Sequence, residues 1–291
     1  MQLRIAMPLA TLAMLSLAGA MPATASPFFF STGNPDGLIA TASRPGVGTF
    51  EIESADDFAL TESTALSSAT FTGLIPAGSS VQDVVVEIYH VFPSDSDVGR
   101  TSGPPTFSTS QVPTRVNSPS DVALDSRDSA GGTLSFSTTD LGTFTANNSV
   151  QPGGIHPKPG QTTGGNAAVT GEEVEFDVNF MTALTLTAGH YFFVPQVELD
   201  NGNFLWLSAP RPIGLPGTPF PAGVTDLQSW TRDQFLDPDW LRVGADIVGG
   251  TPAPTFNATF SLTGTTVPEP ATLLLFWTAL AGLGLLRRRI A

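Results

Sequence analysis

The side chains that most often carry catalysis are few or absent in this chain. None of the 291 residues is a cysteine, which excludes thiolate catalysis, thiolate metal sites and a disulfide framework. The three histidines, His90, His156 and His190, lie far apart and match no local zinc-ligand spacing. A Gly-x-Ser-x-Gly nucleophile elbow, a His-Glu-x-x-His metal motif and the glycine-rich nucleotide loops are also absent. We therefore expect a protein that is not an enzyme.

Carboxylates are the reactive groups that this chain has in excess. Residues 26–266 carry 25 acidic and eight basic side chains, a net charge of −17. That charge repels phosphate backbones and anionic lipids, so nucleic acid is excluded as a partner. Glycoside hydrolysis needs only two carboxylates about 5–10 Å apart, and with so many acidic residues the alternative of a secreted hydrolase stays open.

Three short acidic pairs are the places where a hard cation would bind. Carboxylate and loop-carbonyl oxygens favour a structural calcium ion, and we expect no other cofactor. A loop beginning at Asp95 would need a glutamate where Thr106 stands, so it does not continue as an EF-hand. Solvated turns explain the three pairs equally well. The calcium candidates are Asp56, Asp57, Asp95, Asp97, Asp237 and Asp239.

Three tryptophans fall within 35 residues, at Trp206, Trp230 and Trp240. Tryptophan faces stack on sugar rings, and β-sandwich carbohydrate-binding modules commonly present such a platform. Filling of the hydrophobic core is the other explanation for large aromatic side chains in a sandwich. The cluster therefore supports a carbohydrate-binding module as an alternative function.

The elements that must position these residues are predicted to be strands. Apolar and polar residues alternate over 174–180 and again over 256–263, which is the period of a half-buried strand. No long amphipathic helix is visible, although 226–235 has the spacing of a short helical segment. We expect an all-β protein, a jelly-roll-like antiparallel β-sandwich with long loops at 93–130 and 147–171.

Further strands are predicted from weaker alternation. Pro195 interrupts one of them, which predicts an edge position or a bulge there. Phe28, Phe29 and Phe30 would be sticky if exposed, so we expect them to be buried as a first edge strand. The further strands are predicted at 69–75, 81–92, 133–138, 191–199, 204–208 and 241–247.

The N-terminus has the three parts of a secretory signal peptide. Arg4 supplies the positive charge, an apolar run follows from 5 to 20, and Ala23-x-Ala25 is a small-x-small site that predicts cleavage before Ser26. An uncleaved membrane anchor is the alternative. Signal peptidase is therefore expected as a partner during export.

The C-terminus combines a short motif, an apolar segment and a basic cluster. Residues 271–286 contain no charge and would rise about 24 Å as a helix, slightly less than the thickness of a bilayer core. Basic residues stay on the cytoplasmic side, which leaves the body on the exported side. The motif is Val267, Pro268, Glu269 and Pro270, and the basic cluster is Arg287, Arg288 and Arg289.

This tail resembles the PEP-CTERM sorting signal of bacterial surface proteins, over about the last 25 residues. The resemblance implies recognition by an exosortase, a membrane protease that cuts near the Pro-Glu-Pro motif and releases or transfers the protein. It also implies an association with exopolysaccharide, since these systems typically accompany its production.

These features together predict a signal peptide at 1–25, an acidic β-sandwich ectodomain at 26–266 and a sorting segment at 267–291. We expect a cell-surface or extracellular-matrix protein that is transiently anchored in the inner membrane, with its body on the periplasmic side. A carbohydrate-binding module and a secreted hydrolase are the alternatives.

Overall fold

A computed structural model describes residues 24–94, 115–155, 162–236 and 239–268. Ala25–Val267 form one compact unit, which is mainly β and is built from two antiparallel sheets. Within these described ranges, no helix is long and apolar enough to cross a membrane. The apolar run of the predicted signal peptide and the membrane helix predicted at 271–286 both lie outside the described residues.

The described residues form fifteen strands, together with a 3-10 turn at Pro152–Gly154 and a π-helical segment at Val243–Val248. The strands are β1 (Pro27–Ser31), β2 (Ala40–Ala42), β3 (Ile52–Leu60), β4 (Thr64–Ile75), β5 (Val81–Val91), β6 (Pro119–Asp128), β7 (Leu134–Ala146), β8 (Ser149–Val150), β9 (Val169–Leu186), β10 (Gly189–Leu199), β11 (Leu205–Ala209), β12 (Trp230–Asp233), β13 (Leu241–Arg242), β14 (Asn257–Ala258) and β15 (Phe260–Thr266).

One of the two sheets is a half-barrel, and the larger sheet has nine strands. Strand β4 is its centre, because it pairs with β15 and β11 on one side and with β9 on the other. Strand β1 flanks β15, and β7 flanks β9. The predicted strand at 174–180 is confirmed within β9, where its apolar side chains are buried.

The smaller sheet has six strands in the order β13-β12-β3-β10-β5-β6. The main core lies between the two sheets and is rich in stacked aromatic rings. The rings of Phe71 and Phe176 are 4.8 Å apart, and those of Phe193 and Phe260 are 5.0 Å apart. Burial of such large apolar surfaces is the dominant stabilising term for a domain without disulfides.

Three local predictions are corrected by the structure. Residues 230–233 form strand β12 rather than a helix, because they pair with β3 at the edge of the smaller sheet. The strand predicted at 241–247 stops at Arg242, and the chain turns into the π-helical segment, where Gly244 packs directly against the carbonyl of Pro254. The loop predicted at 93–130 contains β6, an edge strand whose outward side chains, Val122 and Leu124, hide the usual alternation.

Two predictions about edges hold in part. Strand β10 is internal, yet its pairing with β3 ends at Phe193, so Pro195 has no β3 partner and its carbonyl accepts a hydrogen bond from the Ser43 hydroxyl. Strand β1 is an edge strand as expected. Its Phe30 is buried, but Phe29 faces the opposite side of the sheet and is exposed.

Both ends of the body lie at the same end of the nine-stranded sheet, which we call the terminal pole. The amide of Thr266 donates to the carbonyl of Ser26 at 2.8 Å, and the amide of Val267 donates to the carbonyl of Ser63 at 2.7 Å. The turn between β3 and β4 and the turn between β9 and β10 are at this pole, because Thr64 pairs with both Thr266 and Leu186.

Candidate functional site

Strand β3 brings three carboxylates into the protein interior. Alternation along the strand sends Glu53 and Asp57 to the outer face of the six-stranded sheet and Asp56 to the inner face. All three are buried. A buried carboxylate is tolerated only when protein groups solvate it, so the partners of each one define the local chemistry.

Glu53 is paired with Arg232 of the neighbouring strand β12. The Nε and Nη2 atoms of Arg232 both donate to the Glu53 carboxylate, the latter at 3.1 Å. The guanidinium also lies 4.3 Å from the centre of the Trp240 ring. Burial alone would raise the pKa of Glu53, but the charge and hydrogen bonds of Arg232 outweigh it and lower that pKa. This pair is a desolvated structural ion pair.

Tyr89 links Glu53 to a second glutamate, Glu87. The Tyr89 hydroxyl lies 2.5 Å from Glu53 Oε1 and 2.8 Å from Glu87 Oε2. A phenol has one proton to donate, so one of these contacts needs a protonated carboxyl. Burial, followed by the charge of Glu53, raises the pKa of Glu87 to about 7. Glu87 therefore holds the shared proton below about pH 7 and loses it as the pH rises through that value.

A second buried ion cluster surrounds Asp246 in the π-helical segment. Arg115 Nη2 donates to Asp246 Oδ2 at 2.6 Å, and Arg242 Nη2 donates to Asp246 Oδ1 at 2.9 Å. The backbone amide of Arg242 donates to the same carboxylate. These contacts explain why the chain leaves the strand conformation after Arg242.

The buried Asp57 and the half-buried His190 form an acid–imidazole pair at the terminal pole. Asp57 Oδ2 lies 2.5 Å from His190 Nε2, and the amide of Leu227 donates to both Asp57 oxygens at 3.1 Å. Burial raises the pKa of Asp57, against the opposing hydrogen bond and charge of His190. The carboxylate fixes the orientation of the ring, and Nδ1 of His190 has no partner in the part of the chain that the structure describes.

His190 lines a cleft of about 600 Å³, which we call the pole cleft. Its walls are mostly small and apolar, and its polar groups include Asn117, Thr61 and Thr225. An oriented imidazole can act there as a base or as a hydrogen-bond partner. No hydroxyl of the described residues is hydrogen-bonded to His190, so the pair lacks a positioned nucleophile.

A second depression, the sheet groove, lies on the face of the nine-stranded sheet turned away from the main core. Its volume is about 460 Å³. The floor consists of alternate residues on β15, β4 and β9, and the rim consists of apolar side chains. The floor side chains are Thr70, Thr72, Glu173, Glu175 and Ser261, and the rim side chains are Phe29, Leu141 and Phe144.

The carboxylates of the sheet groove differ from those of β3. Glu173 and Glu175 are half-buried, and neither has a hydrogen-bond or ion-pair partner among the described residues. Burial and the neighbouring charge of Glu175 raise the pKa of Glu173. The groove therefore combines free acceptors, hydroxyls and an apolar rim.

The predicted sugar-stacking tryptophans are corrected by the structure. Trp206, Trp230 and Trp240 are only 2%, 3% and 1% exposed. The Trp206 indole donates to the Thr259 carbonyl at 2.7 Å, and the Trp240 indole donates to the Ser120 carbonyl at 3.1 Å. A buried indole has no face free for a sugar ring, so core filling is the role observed for all three.

The predicted calcium ligands are only partly described. Asp56 and Asp57 lie inside a strand rather than in a turn, and protein donors occupy them. Asp56 accepts from the amide of Ala258 at 2.8 Å, and burial followed by the charge of Asp57 raises its pKa. Asp239 is buried, while Asp95, Asp97 and Asp237 lie outside the described residues. In the described ranges no three His, Asp or Glu side chains are placed to hold a metal ion.

The remaining predicted residues are placed as follows. His90 contacts the Tyr191 ring at 5.0 Å, and His156 lies outside the described residues. Ala25, Ser26 and Val267 lie at the terminal pole, and Pro268 is also among the described residues. The other signal and sorting residues lie outside the described ranges, namely Ala23, Glu269, Pro270, Arg287, Arg288 and Arg289.

Both depressions use residues that the sequence reasoning did not single out as a site. The only signal for Glu173 and Glu175 was their alternation with buried residues, which predicted the polar face of a strand. The Asp57–His190 pair had no signal, because the two residues are 133 positions apart. No protein-family model, curated protein or solved structure matches this chain.

Proposed function

We propose that this chain is an exported surface protein, sorted by an exosortase through its C-terminal segment, whose acidic β body is displayed among exopolysaccharide and performs no reaction. The observation that carries the proposal is the tail itself, with Pro268-Glu269-Pro270, an uncharged stretch at 271–286 and three arginines in order. The jelly-roll-like sandwich expected for such a body belongs to the same proposal.

The geometry of the terminal pole supports this arrangement. Val267, whose amide is hydrogen-bonded to the carbonyl of Ser63, immediately precedes the Pro-Glu-Pro motif. The amide of Ser26 donates to the Thr266 hydroxyl at 3.0 Å, and an α-ammonium created by cleavage before Ser26 is still a donor. Removal of the signal peptide is therefore compatible with an intact β1–β15 edge.

The test follows the C-terminus in cells. A tag after Ala291 should be separated from the body in cells that have the exosortase, and should stay attached in cells that lack it. Replacing Pro268, Glu269 and Pro270 with alanine should have the same effect as loss of the protease. Glu62→Ala, at an exposed glutamate of the terminal pole, is the control and should be processed normally. Release of an identical product without the protease would refute the sorting proposal.

A secreted hydrolase is the second candidate, and the Asp57–His190 pair in the pole cleft is the observation that favours it. It requires turnover of an ester or glycoside by the purified chain, lost by at least about 100-fold in His190→Gln. Absence of turnover with both substrate classes rejects it. Equal turnover by the folded His190→Gln variant would also reject this site.

A further inference from the structure

The sheet groove is an open surface on the face of the nine-stranded sheet turned away from the main core. Its floor side chains alternate with core residues, so each strand that crosses it is anchored from the opposite face. Phe71, for example, packs in the main core, while Thr70 and Thr72 on either side of it face the groove. The floor is therefore held rigidly, as binding surfaces on strands require.

The groove contains polar groups that the protein itself does not satisfy. Thr72 is only 6% exposed, lines the groove, and its hydroxyl has no hydrogen-bond partner among the described residues. Glu173 and Glu175 also lack partners there. The Thr72 side chain is therefore nine-tenths buried, yet its hydroxyl opens into the groove, where it and the two carboxylates are free to accept hydrogen bonds from water or from a ligand.

The rim supplies the apolar part of the surface. Phe29 is 55% exposed and Leu141 is 51% exposed, on the two flanking strands β1 and β7. Leu141 sits in a β-bulge, where Gly142 has a φ of 99° and donates its amide to Asp140. Bulges re-aim side chains, so the exposure of Leu141 is a feature of the backbone and not of a loose side chain.

The chemistry of the groove restricts its ligand. No basic side chain is among the described residues that line the groove, so its two carboxylates repel anions. The hydroxyls of Thr70 and Ser261 share one hydrogen bond at 2.7 Å, and together with the Thr72 hydroxyl they still offer donors and acceptors to a ligand. The exposed phenyl ring offers an apolar face of the kind on which the C–H face of a sugar ring packs. A ligand that donates several hydrogen bonds, has an apolar face and carries no negative charge satisfies all three conditions.

From these observations we propose that the sheet groove binds a polysaccharide chain without negative charge, through Glu173, Glu175 and Thr72 on the floor and Phe29 on the rim. Neutral and amino-bearing glycans share this chemistry, and uronate polymers do not. The inference rests on the proposed function only in placing the body among glycans, because binding by the purified chain is measured independently of sorting.

The test uses the full chain purified in mild detergent and titration calorimetry with three hexasaccharides: a neutral glucan, a glucosamine polymer and a uronate polymer. Binding of the neutral or amino probe should exceed that of the uronate by at least about tenfold. Glu175→Gln and Phe29→Ala should each weaken it by about tenfold. Glu172→Gln, on the same strand but outside the groove, and Phe235→Ala, at an exposed phenylalanine elsewhere, are the matched controls.

A double variant separates a binding role from a structural one. Glu173→Gln with Glu175→Gln should reduce the preference for the non-anionic probes by strengthening the binding of the uronate, and loss of folding would not produce that gain. Failure of all three probes to bind overturns the proposal, and so does unchanged affinity in the groove variants. Tighter binding of a lysine-rich peptide at the same groove would also overturn it, because the surface would then be a protein-docking site.

Discussion

The outer faces of the two sheets treat charge in opposite ways. On the six-stranded sheet, Glu53 and Asp57 are buried and each is held by a charged or polar partner. On the nine-stranded sheet, Glu173 and Glu175 are half-buried and have no partner among the described residues. Acidic residues in alternate positions of a strand can thus build either a structural layer or an open surface. Which of the two forms depends on whether other side chains pack over the carboxylates and bind them.

Many of the side chains that bury the carboxylates on the outer face of the six-stranded sheet come from strand β12 and the segment between β12 and β13. These segments supply Trp230 and Trp240 together with Arg232, so the apolar and basic partners arrive on the same stretch of chain. Basic side chains are scarce in this body, and those of Arg115, Arg232 and Arg242 are committed to this layer. Among the described side chains that line the sheet groove, none is basic.

The largest expected effect tests whether the buried ion pair between Glu53 and Arg232 stabilises the fold. Arg232→Met leaves Glu53 buried without its counter-ion and should lower the free energy of unfolding by about 3–5 kcal/mol. Arg127→Met is the matched control, because its pair with Asp125 is partly exposed and should contribute less than about 1 kcal/mol. Both values are measured by urea unfolding at pH 7.

A double variant sharpens this result. Combining Arg232→Met with Glu53→Leu removes both charges and should recover a large part of the lost stability, since the cost arises from the uncompensated carboxylate. Equal losses for Arg232→Met and Arg127→Met would show that burial has no special effect on this layer.

The next effect concerns the proton of Glu87, which lies with Glu53 and Tyr89 on the outer face of the six-stranded sheet. Because the folded pKa of Glu87 is about 7, above its ordinary value near 4.5, the unfolded chain binds fewer protons between these values. Its contribution to stability is therefore present below about pH 4.5 and is lost as the pH rises to about 7. Relative to Glu87→Gln, the wild-type chain should lose about 1–3 kcal/mol across this window, after allowance for the partial exposure of Glu87.

Urea unfolding of both chains at several pH values measures this difference. Asp56 and Asp57 also have raised pKa values and change stability in the same direction, but they are present in both chains and cancel in the comparison. A difference that stays constant with pH would contradict the assignment of the shared proton to Glu87.

Strict alternation made some of these elements predictable from sequence. Strand β9 was predicted because one of its faces is apolar and the other polar. Strand β12 was not predicted, because all of its residues, including Trp230 and Arg232, are buried by contacts that form only in the folded chain. The site residues were harder still. The partner of Asp57 is 133 residues away in the sequence. Whether the Thr72 hydroxyl has a hydrogen-bond partner depends on which side chains surround it in the groove, and the sequence does not give that.

The smallest expected effect compares two neighbouring threonines. The hydroxyl of Thr259 donates to the carbonyl of Thr72 at 2.9 Å and is buried, whereas the hydroxyl of Thr72 has no partner among the described residues. Thr259→Val should therefore cost about 1–2 kcal/mol of unfolding free energy, and Thr72→Val should change it by less than about 0.5 kcal/mol. If Thr72→Val is instead the costlier change in urea unfolding, the Thr72 hydroxyl serves the fold and not a ligand. The sheet groove would then hold its polar groups for stability, as the outer face of the six-stranded sheet does.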